Sequence, residues 1–244
     1  MGHIIYKSIS FLLFLSLSLF GQTDKIDITQ LEEDFYIYTT YNFWNGKIYP
    51  SNSMYVLTTE GVVMIDTPWH TELVQPILDS IEQKHQKKVI LYIATHSHDD
   101  RMLGLKLLKE KGIKTYSYYK TDSLRQIKSE ERTEFVMTKD TVFTVANHNF
   151  EIYYPGAGHT SDNIVIWFSK EKILYGGCLV KSVQAQDLGY IGESNLSAWP
   201  NSIKKLIKKY PNPKYIIPGH MDWINTQSLQ HTLNLLKKHQ KKEK

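Results

Sequence analysis

Two histidines and two aspartates fall within five positions in Thr95-His-Ser-His-Asp-Asp-Arg101, directly after the apolar run Val89-Ile-Leu-Tyr-Ile-Ala94. The run reads as a buried parallel strand, and a rigid strand end is where ligands to a metal can be held in place. By itself a His-x-His pair is often only a solvated turn. Three further segments repeat the pattern: Gly158-His159, Gly177-Cys178 and Gly219-His220 each put a ligand type beside a glycine just after a predicted strand. Glycine lets the backbone turn sharply and approach a metal closely. Imidazole nitrogen, carboxylate oxygen and thiolate sulfur together suit zinc. Cys178 is the only cysteine in the chain and cannot form an internal disulfide, which leaves an inert buried thiol or a metal ligand.

These residues need a scaffold that brings several strand ends to one place. Strands are predicted over Asp34–Thr40, Met54–Thr58, Val62–Asp66, Val89–Ala94, Ile113–Tyr118, Asn163–Phe168, Lys172–Tyr175 and Lys214–Ile217, with a hairpin from Thr141–Val145 and Asn149–Tyr154. Helices are predicted from Thr71 to about His85, where Leu73, Val74, Ile77, Leu78 and Ile81 have helical spacing, and from Arg101 to Lys111, stopped by Gly112. Others span Asp122–Ser129, Ser197–Tyr210 and a last segment from Thr226 with an apolar stripe of Leu229, Leu233, Leu235 and Leu236. Glu130–Lys139 is polar without a clear period. Tyr41–Ser53 is aromatic and turn-rich, with Asn45-Gly46 flanked by Phe43, Trp44, Ile48 and Tyr49: either a flap over a site or a loop folded on its own domain. Two β-rich halves, each closed by helices, imply an α/β class stacked sandwich rather than a single doubly wound sheet.

At 244 residues with 41% hydrophobic content, the chain can bury a substantial core. Its N-terminus carries Lys7, an apolar run from Ile9 to Phe20 and then Gly21-Gln-Thr-Asp24. That run is short for a membrane span and suits a secretory signal. Residues 1–21 are therefore expected to be removed on export to a periplasm, leaving residues 22–244 as one domain. Loss of that segment leaves no stable membrane association. The net charge of +4 owes much to the tail from Lys237 to Lys244, read as a solvated helix end; no nucleic-acid reading module accompanies it.

His96-Ser-His-Asp-Asp-Arg101, Pro155-Gly-Ala-Gly-His-Thr-Ser-Asp-Asn163, Gly176-Gly-Cys-Leu-Val-Lys181 and Pro218-Gly-His220 resemble the motifs of class B metallo-β-lactamases, specifically the di-zinc subclass with a cysteine ligand. The resemblance runs from about Asp34 to about Leu236. It implies the four-layer αβ/βα sandwich of that family and two zinc ions per chain, one on His96, His98 and His159, the other on Asp100, Cys178 and His220. It also implies hydrolysis of the β-lactam amide of penicillins, cephalosporins and carbapenems by a zinc-bound hydroxide, in a monomer. Asp100, Lys181 and Tyr190 are the candidate catalytic residues. Lys181, expected to anchor the substrate carboxylate, joins Trp44 and Tyr190 as a candidate substrate contact. Asp66 is read as orienting a ligand histidine or bracing a ligand loop, or else as capping the Thr71 helix region or its own turn; Arg101 as pairing with Asp100 or a neighbouring carboxylate; and Asp99 as facing solvent or a backbone amide.

The chain departs from the family at two points. Tyr190 stands where many relatives have an asparagine that donates to the developing oxyanion, and Met102-Leu103-Gly104 replaces a usual pair of glycines. Thioesterases and lactonases of the same metallo-fold are the nearest alternative, but they carry a histidine where this chain has Arg101 and a bridging aspartate where it has Cys178. A zinc-storage protein would need closed, four-ligand sites, against two open sets of three here. Neither an S-x-x-K set nor a G-x-S-x-G elbow is present, so a serine mechanism has no support.

Overall fold

A computed structural model describes residues 24–44 and 46–242 of the chain. The expected export segment, residues 1–21, and Asn45 of the predicted turn lie outside the described residues. The first half is a seven-stranded sheet in sequential order: β1 (Ile26–Glu32), β2 (Phe35–Trp44), β3 (Lys47–Leu57), β4 (Val62–Ile65), β5 (Val89–Ile93), β6 (Lys114–Tyr118) and β7 (Phe135–Met137). The second half is a five-stranded sheet of β8 (Thr141–Val145), β9 (His148–Tyr153), β10 (Val165–Phe168), β11 (Ile173–Gly177) and β12 (Tyr215–Pro218). On the outer face of the first sheet lie α1 (Val74–His85), α2 (Asp99–Met102) and α3 (Leu105–Glu110), with α4 (Tyr119–Ile127) following β6; α5 (Trp199–Lys209) and α6 (Ser228–Lys242) cover the second.

Three apolar layers glue these four together. Both faces of the central strands are buried, so their side chains alternate between two cores rather than between core and water. In β4, Val63 and Ile65 enter the layer between the sheets, while Val62 and Met64 meet Val74, Ile77 and Ile81 of α1. In β10 and β11, Ile166, Phe168, Ile173 and Tyr175 face the other sheet, while Val165 and Leu174 meet Trp199, Ile203 and Leu206 of α5. The layering agrees with the expected αβ/βα sandwich. Truncating one such residue, as in Ile65→Ala, would cost about 2–5 kcal/mol.

The structure refines several boundaries. The aromatic segment after Thr40 is not a loose loop: β2 and β3 pair without interruption from Phe35↔Val56 to Trp44↔Lys47, one long antiparallel ribbon turning at Gly46. The helix predicted from Arg101 to Lys111 breaks at Leu103–Gly104. A Cβ on Gly104 would stand 2.3 Å from Val74 Cγ2, so the close approach of α1 requires glycine there. The unpatterned stretch Glu130–Lys139 contains β7, and β1 precedes the first strand expected from the pattern. Among the described residues no helix is long and apolar enough to cross a membrane.

β4 and β5 run parallel in one sheet, β11 and β12 in the other, and their carboxyl ends meet at one seam. Ile164 N donates to Thr95 O at 2.9 Å and Asn52 N to Gly219 O at 2.8 Å, stitching the halves together there.

Candidate metal centre

β5 ends two residues before Thr95; the turn that follows carries His96 and His98, and Asp100 is the second residue of α2. Cys178 follows β11 and His220 lies two residues beyond β12; His159 comes from the β9–β10 connection. All six predicted ligands converge on the seam. The three imidazoles stand nearly perpendicular to one another, with ring centroids 4.8 to 5.2 Å apart. One donor atom from each of His96, His98 and His159 lies within 4.8 Å of the others, and His98 Nδ1 is 3.2 Å from His159 Nε2.

Asp100, Cys178 and His220 form a second, tighter group. Asp100 Oδ2 is 3.2 Å from His220 Nε2 and 3.6 Å from Cys178 Sγ, and Cys178 Sγ is 3.3 Å from His220 Nε2. Tetrahedral zinc with bonds of about 2.0–2.3 Å needs neighbouring ligand atoms roughly 3.3–3.8 Å apart; the second group, at 3.2 to 3.6 Å, is close to that spacing, and the three histidines, within 4.8 Å, form a group that could hold an ion. A donor atom of His96 also lies within 4.8 Å of donors on Asp100 and Cys178, so the two groups adjoin. His96 Nε2 is buried without a hydrogen-bond partner in the protein, an orphaned donor position that a metal would satisfy.

Electrostatics prepare these ligands. Burial pushes the His96 and His159 imidazoles well below their ordinary range, and His220 downward, which keeps them neutral for metal binding. Asp100 is buried, which by itself would raise its carboxyl; Arg101 and His220 outweigh that and hold it well below the usual range. Burial lifts the Cys178 thiol to about 12, so a cation must displace its proton.

Arg101 is the hub beneath the second group. Its side chain is fully buried, with Nη2 3.0 Å from Asp100 Oδ2 and 3.0 Å from Cys178 Sγ, and Nη1 3.6 Å from Asp66 Oδ2. The pairing foreseen for Arg101 is thus made with both carboxylates. Asp66 braces the ligand loop: it accepts hydrogen bonds at 2.8 Å from the Thr95 backbone N–H, the Thr95 hydroxyl and the Tyr175 hydroxyl. It does so from a left-handed backbone (φ 61°), which aspartate tolerates better than most residues. Burial nonetheless raises its carboxyl to about 6. Gly219 admits the guanidinium, since a Cβ there would lie 2.6 Å from Cys178 Sγ and 2.9 Å from Arg101 Nη2.

The two groups open into a cavity of about 310 Å³. Lys181 lines it, 9% exposed, with Nζ 5.3 Å above the Trp199 ring; burial lowers its pKa, and no carboxylate among the described residues pairs with it. Trp44 lines the cavity from the end of β2, and Tyr190 from the loop before α5, its ring 5.7 Å from that of His98 and its phenol end covering Gly192. Asp99 points outward, its side chain 64% exposed and 3.6 Å from Arg125.

Tyr49 belongs to the flap that the sequence suggested, whereas Trp69, Glu193 and Lys128 are cavity residues that the sequence reading passed over. Tyr49 and Trp69 each stack at a tilt on the His220 ring at 5.3 Å; an aromatic side chain three residues beyond Asp66 was the available signal for Trp69. Glu193 and Lys128 sit at the rim 2.8 Å apart, and Lys128 holds the Glu193 carboxyl below its usual range. Neither had a local signature.

The family model of the metallo-beta-lactamase superfamily matches residues 46–220. A type 2 metallo-beta-lactamase of Elizabethkingia meningoseptica is 44% identical over 229 residues, covering 93% of this chain and 92% of that protein. Metallo-beta-lactamase IND-1 of Chryseobacterium indologenes is 41% identical, over 85% of this chain and 87% of that one. Among solved structures, a metallo-beta-lactamase from Pontibacter korlensis superposes with a TM-score of 0.85 at 34% identity, over 87% of this chain and 99% of the other. On fold, donor chemistry and sequence together, the chain belongs to the class B metallo-β-lactamases, a family of zinc-dependent hydrolases.

Proposed function

We propose that this chain hydrolyses the β-lactam amide of penicillins, cephalosporins and carbapenems and so confers resistance to them. One observation carries the reading: two open groups of three zinc-type donors share a cavity with a buried ammonium that has no carboxylate partner among the described residues. His96, His98 and His159 hold one zinc ion, and Asp100, Cys178 and His220 a second. Zinc bound there supplies Lewis acidity toward the carbonyl and acidifies a water to serve as nucleophile near neutral pH.

The protein's own groups supply the rest. Lys181 is a buried cation that no carboxylate among the described residues pairs with, an arrangement that costs free energy until an anion meets it; it binds the substrate carboxylate. Asp100, kept ionised by Arg101, would present its carboxylate to the second zinc ion beside the reacting centre. Trp44 and Tyr190, 39% and 52% exposed at the cavity mouth, cover the substrate's apolar side chains and exclude water. The enzyme works as a monomer, exported to the periplasm with loss of about residues 1–21.

The test is absorbance-monitored hydrolysis of a carbapenem by the purified mature chain, with chelator, and again after zinc is restored. Zinc-dependent turnover is expected. A folded chain shown to hold two zinc ions but inert toward carbapenem, cephalosporin and penicillin would overturn the reading and direct attention to thioesters and lactones.

A further inference from the structure

His98 differs from the other two histidines of its group in being partly open to solvent: its side chain is 16% exposed, against residue exposures of 1% for His96 and 5% for His159. It also stands between two different neighbours. Its Nδ1 faces His159 Nε2 at 3.2 Å, on the side where the donors converge, while its Nε2 lies 3.1 Å from Glu193 Oε2. The other Glu193 oxygen, Oε1, accepts a hydrogen bond from Lys128 Nζ at 2.8 Å. Lys128 follows α4 in the first half, and Glu193 belongs to the second half, in the loop that carries Tyr190. The chain Lys128–Glu193–His98 therefore crosses the cavity mouth from one half to the other.

An imidazole that binds a metal through Nδ1 must keep its proton on Nε2. A carboxylate placed on that proton fixes the tautomer, holds the ring against rotation and makes the ligating nitrogen a stronger base. The other two histidines are held by burial instead of a carboxylate: His96 Nδ1 has Thr95 Oγ1 at 3.4 Å, and His159 Nδ1 has no hydrogen-bond partner among the described residues. An exposed carboxylate is itself poorly fixed, and the Lys128 ammonium supplies what holds it.

We propose that Glu193 is the positioning residue of the tri-histidine group, with its carboxylate setting His98 as an Nδ1 ligand and Lys128 anchoring that carboxylate across the mouth. The proposal rests on the zinc reading above. A plain surface ion pair between Lys128 and Glu193 is the competing explanation, and such pairs contribute little to stability. The two accounts differ in what happens to metal binding.

The experiment compares the whole mature chain with Glu193→Ala, Glu193→Gln and Lys128→Met. Zinc affinity is measured by competition with a chromophoric chelator, and the visible spectrum is recorded with cobalt(II) in place of zinc. Glu193→Ala should weaken the tri-histidine group about 10- to 100-fold, the usual effect of losing an outer partner of a ligand. It should also shift the cobalt ligand-field bands while leaving the sulfur-to-cobalt band of Cys178 in place. Glu193→Gln, which keeps an acceptor without the charge, should fall between Glu193→Ala and wild type. Lys128→Met should move both readouts the same way by less. Melting of the metal-stripped variants should stay close to that of the stripped wild type, which separates positioning from general damage. Unchanged affinity and spectrum in Glu193→Ala, or an equal loss at both groups, would overturn the proposal alone. A wild-type chain that takes up no zinc would sink the metal reading and this proposal with it.

Discussion

Replacing Arg101 by methionine tests the electrostatic design of the centre, because methionine fills most of the space and removes the charge. The guanidinium is fully buried. It compensates Asp100 at 3.0 Å and Asp66 at 3.6 Å, and donates to the Asn52 and Gly219 carbonyls at 2.7 and 2.9 Å. Removing one member of a buried ion pair costs about 3–5 kcal/mol. Asp66 would keep its Thr95 and Tyr175 donors, whereas Asp100 would keep only His220 and Cys178, so most of the loss falls on Asp100. At about 2–4 °C per kcal/mol for a chain of this size, the metal-stripped variant should melt roughly 6–20 °C below stripped wild type. Zinc on Asp100 and Cys178 replaces the lost positive charge, so the gap should narrow in the loaded protein. The pH dependence has a definite sign. Arg101 lowers both carboxyls, against burial that still lifts Asp66 to about 6. Without it both rise, and an acid with a raised folded pKa loses stability as pH increases through that value. The penalty should therefore be larger at pH 8 than at pH 5. Thermal melts by circular dichroism at both pH values, stripped and loaded, decide the matter. A stripped Arg101→Met protein melting within about 2 °C of wild type at pH 8, or a gap that zinc leaves unchanged, would refute the reasoning.

Three further outcomes are expected. Lys181→Met should raise KM about 10- to 100-fold for carboxylate-bearing β-lactams with a smaller change in kcat, since a hydrogen bond to a charged group contributes about 1.5–3 kcal/mol; steady-state kinetics with an unchanged KM would remove Lys181 as the anchor. Trp44→Ala should raise KM severalfold for substrates with bulky apolar side chains, and kinetic constants unchanged across all substrates would exclude the flap from binding. With the Cys178 thiol at about 12 in the metal-free protein, filling its group near pH 7 should release one proton from that thiol. Affinity there should rise about tenfold per pH unit, and zinc titration in weak buffer should lose that proton in Cys178→Ser.

How much of this was legible in the sequence depended on whether the signal was local. The six candidate ligands could be read because each follows the carboxyl end of a strand by no more than seven residues, and the strands announced themselves through runs such as Val89–Ala94. The fold then had only to bring strand ends together, which two stacked sheets do at their seam. Elements defined by a distant partner were hidden. β7 is three residues long and exists because Phe135–Met137 pairs with Tyr116–Tyr118 of β6; its own composition has no period to detect. The break at Gly104 depends on the approach of Val74, thirty residues away in sequence.

Charged residues show the same division at the level of the site. Lys181, Lys128 and Arg101 all look in sequence like ordinary surface cations. Lys181 stood out because it lies three residues beyond Cys178, and Arg101 because it adjoins Asp100. Lys128 had no such neighbour, and Glu193 lies 95 positions from the histidine it touches. The cost of burying a charge is what separates them physically: Arg101 remains inside because two carboxylates face it, and Lys181 remains inside facing a cavity with no carboxylate among the described residues paired to it. A buried cation that no described carboxylate pairs with is an open demand for an anion. That demand becomes visible only once the surrounding carboxylates have been placed, which is why the anchor's identity could be inherited from a motif but its physical reason had to come from the fold.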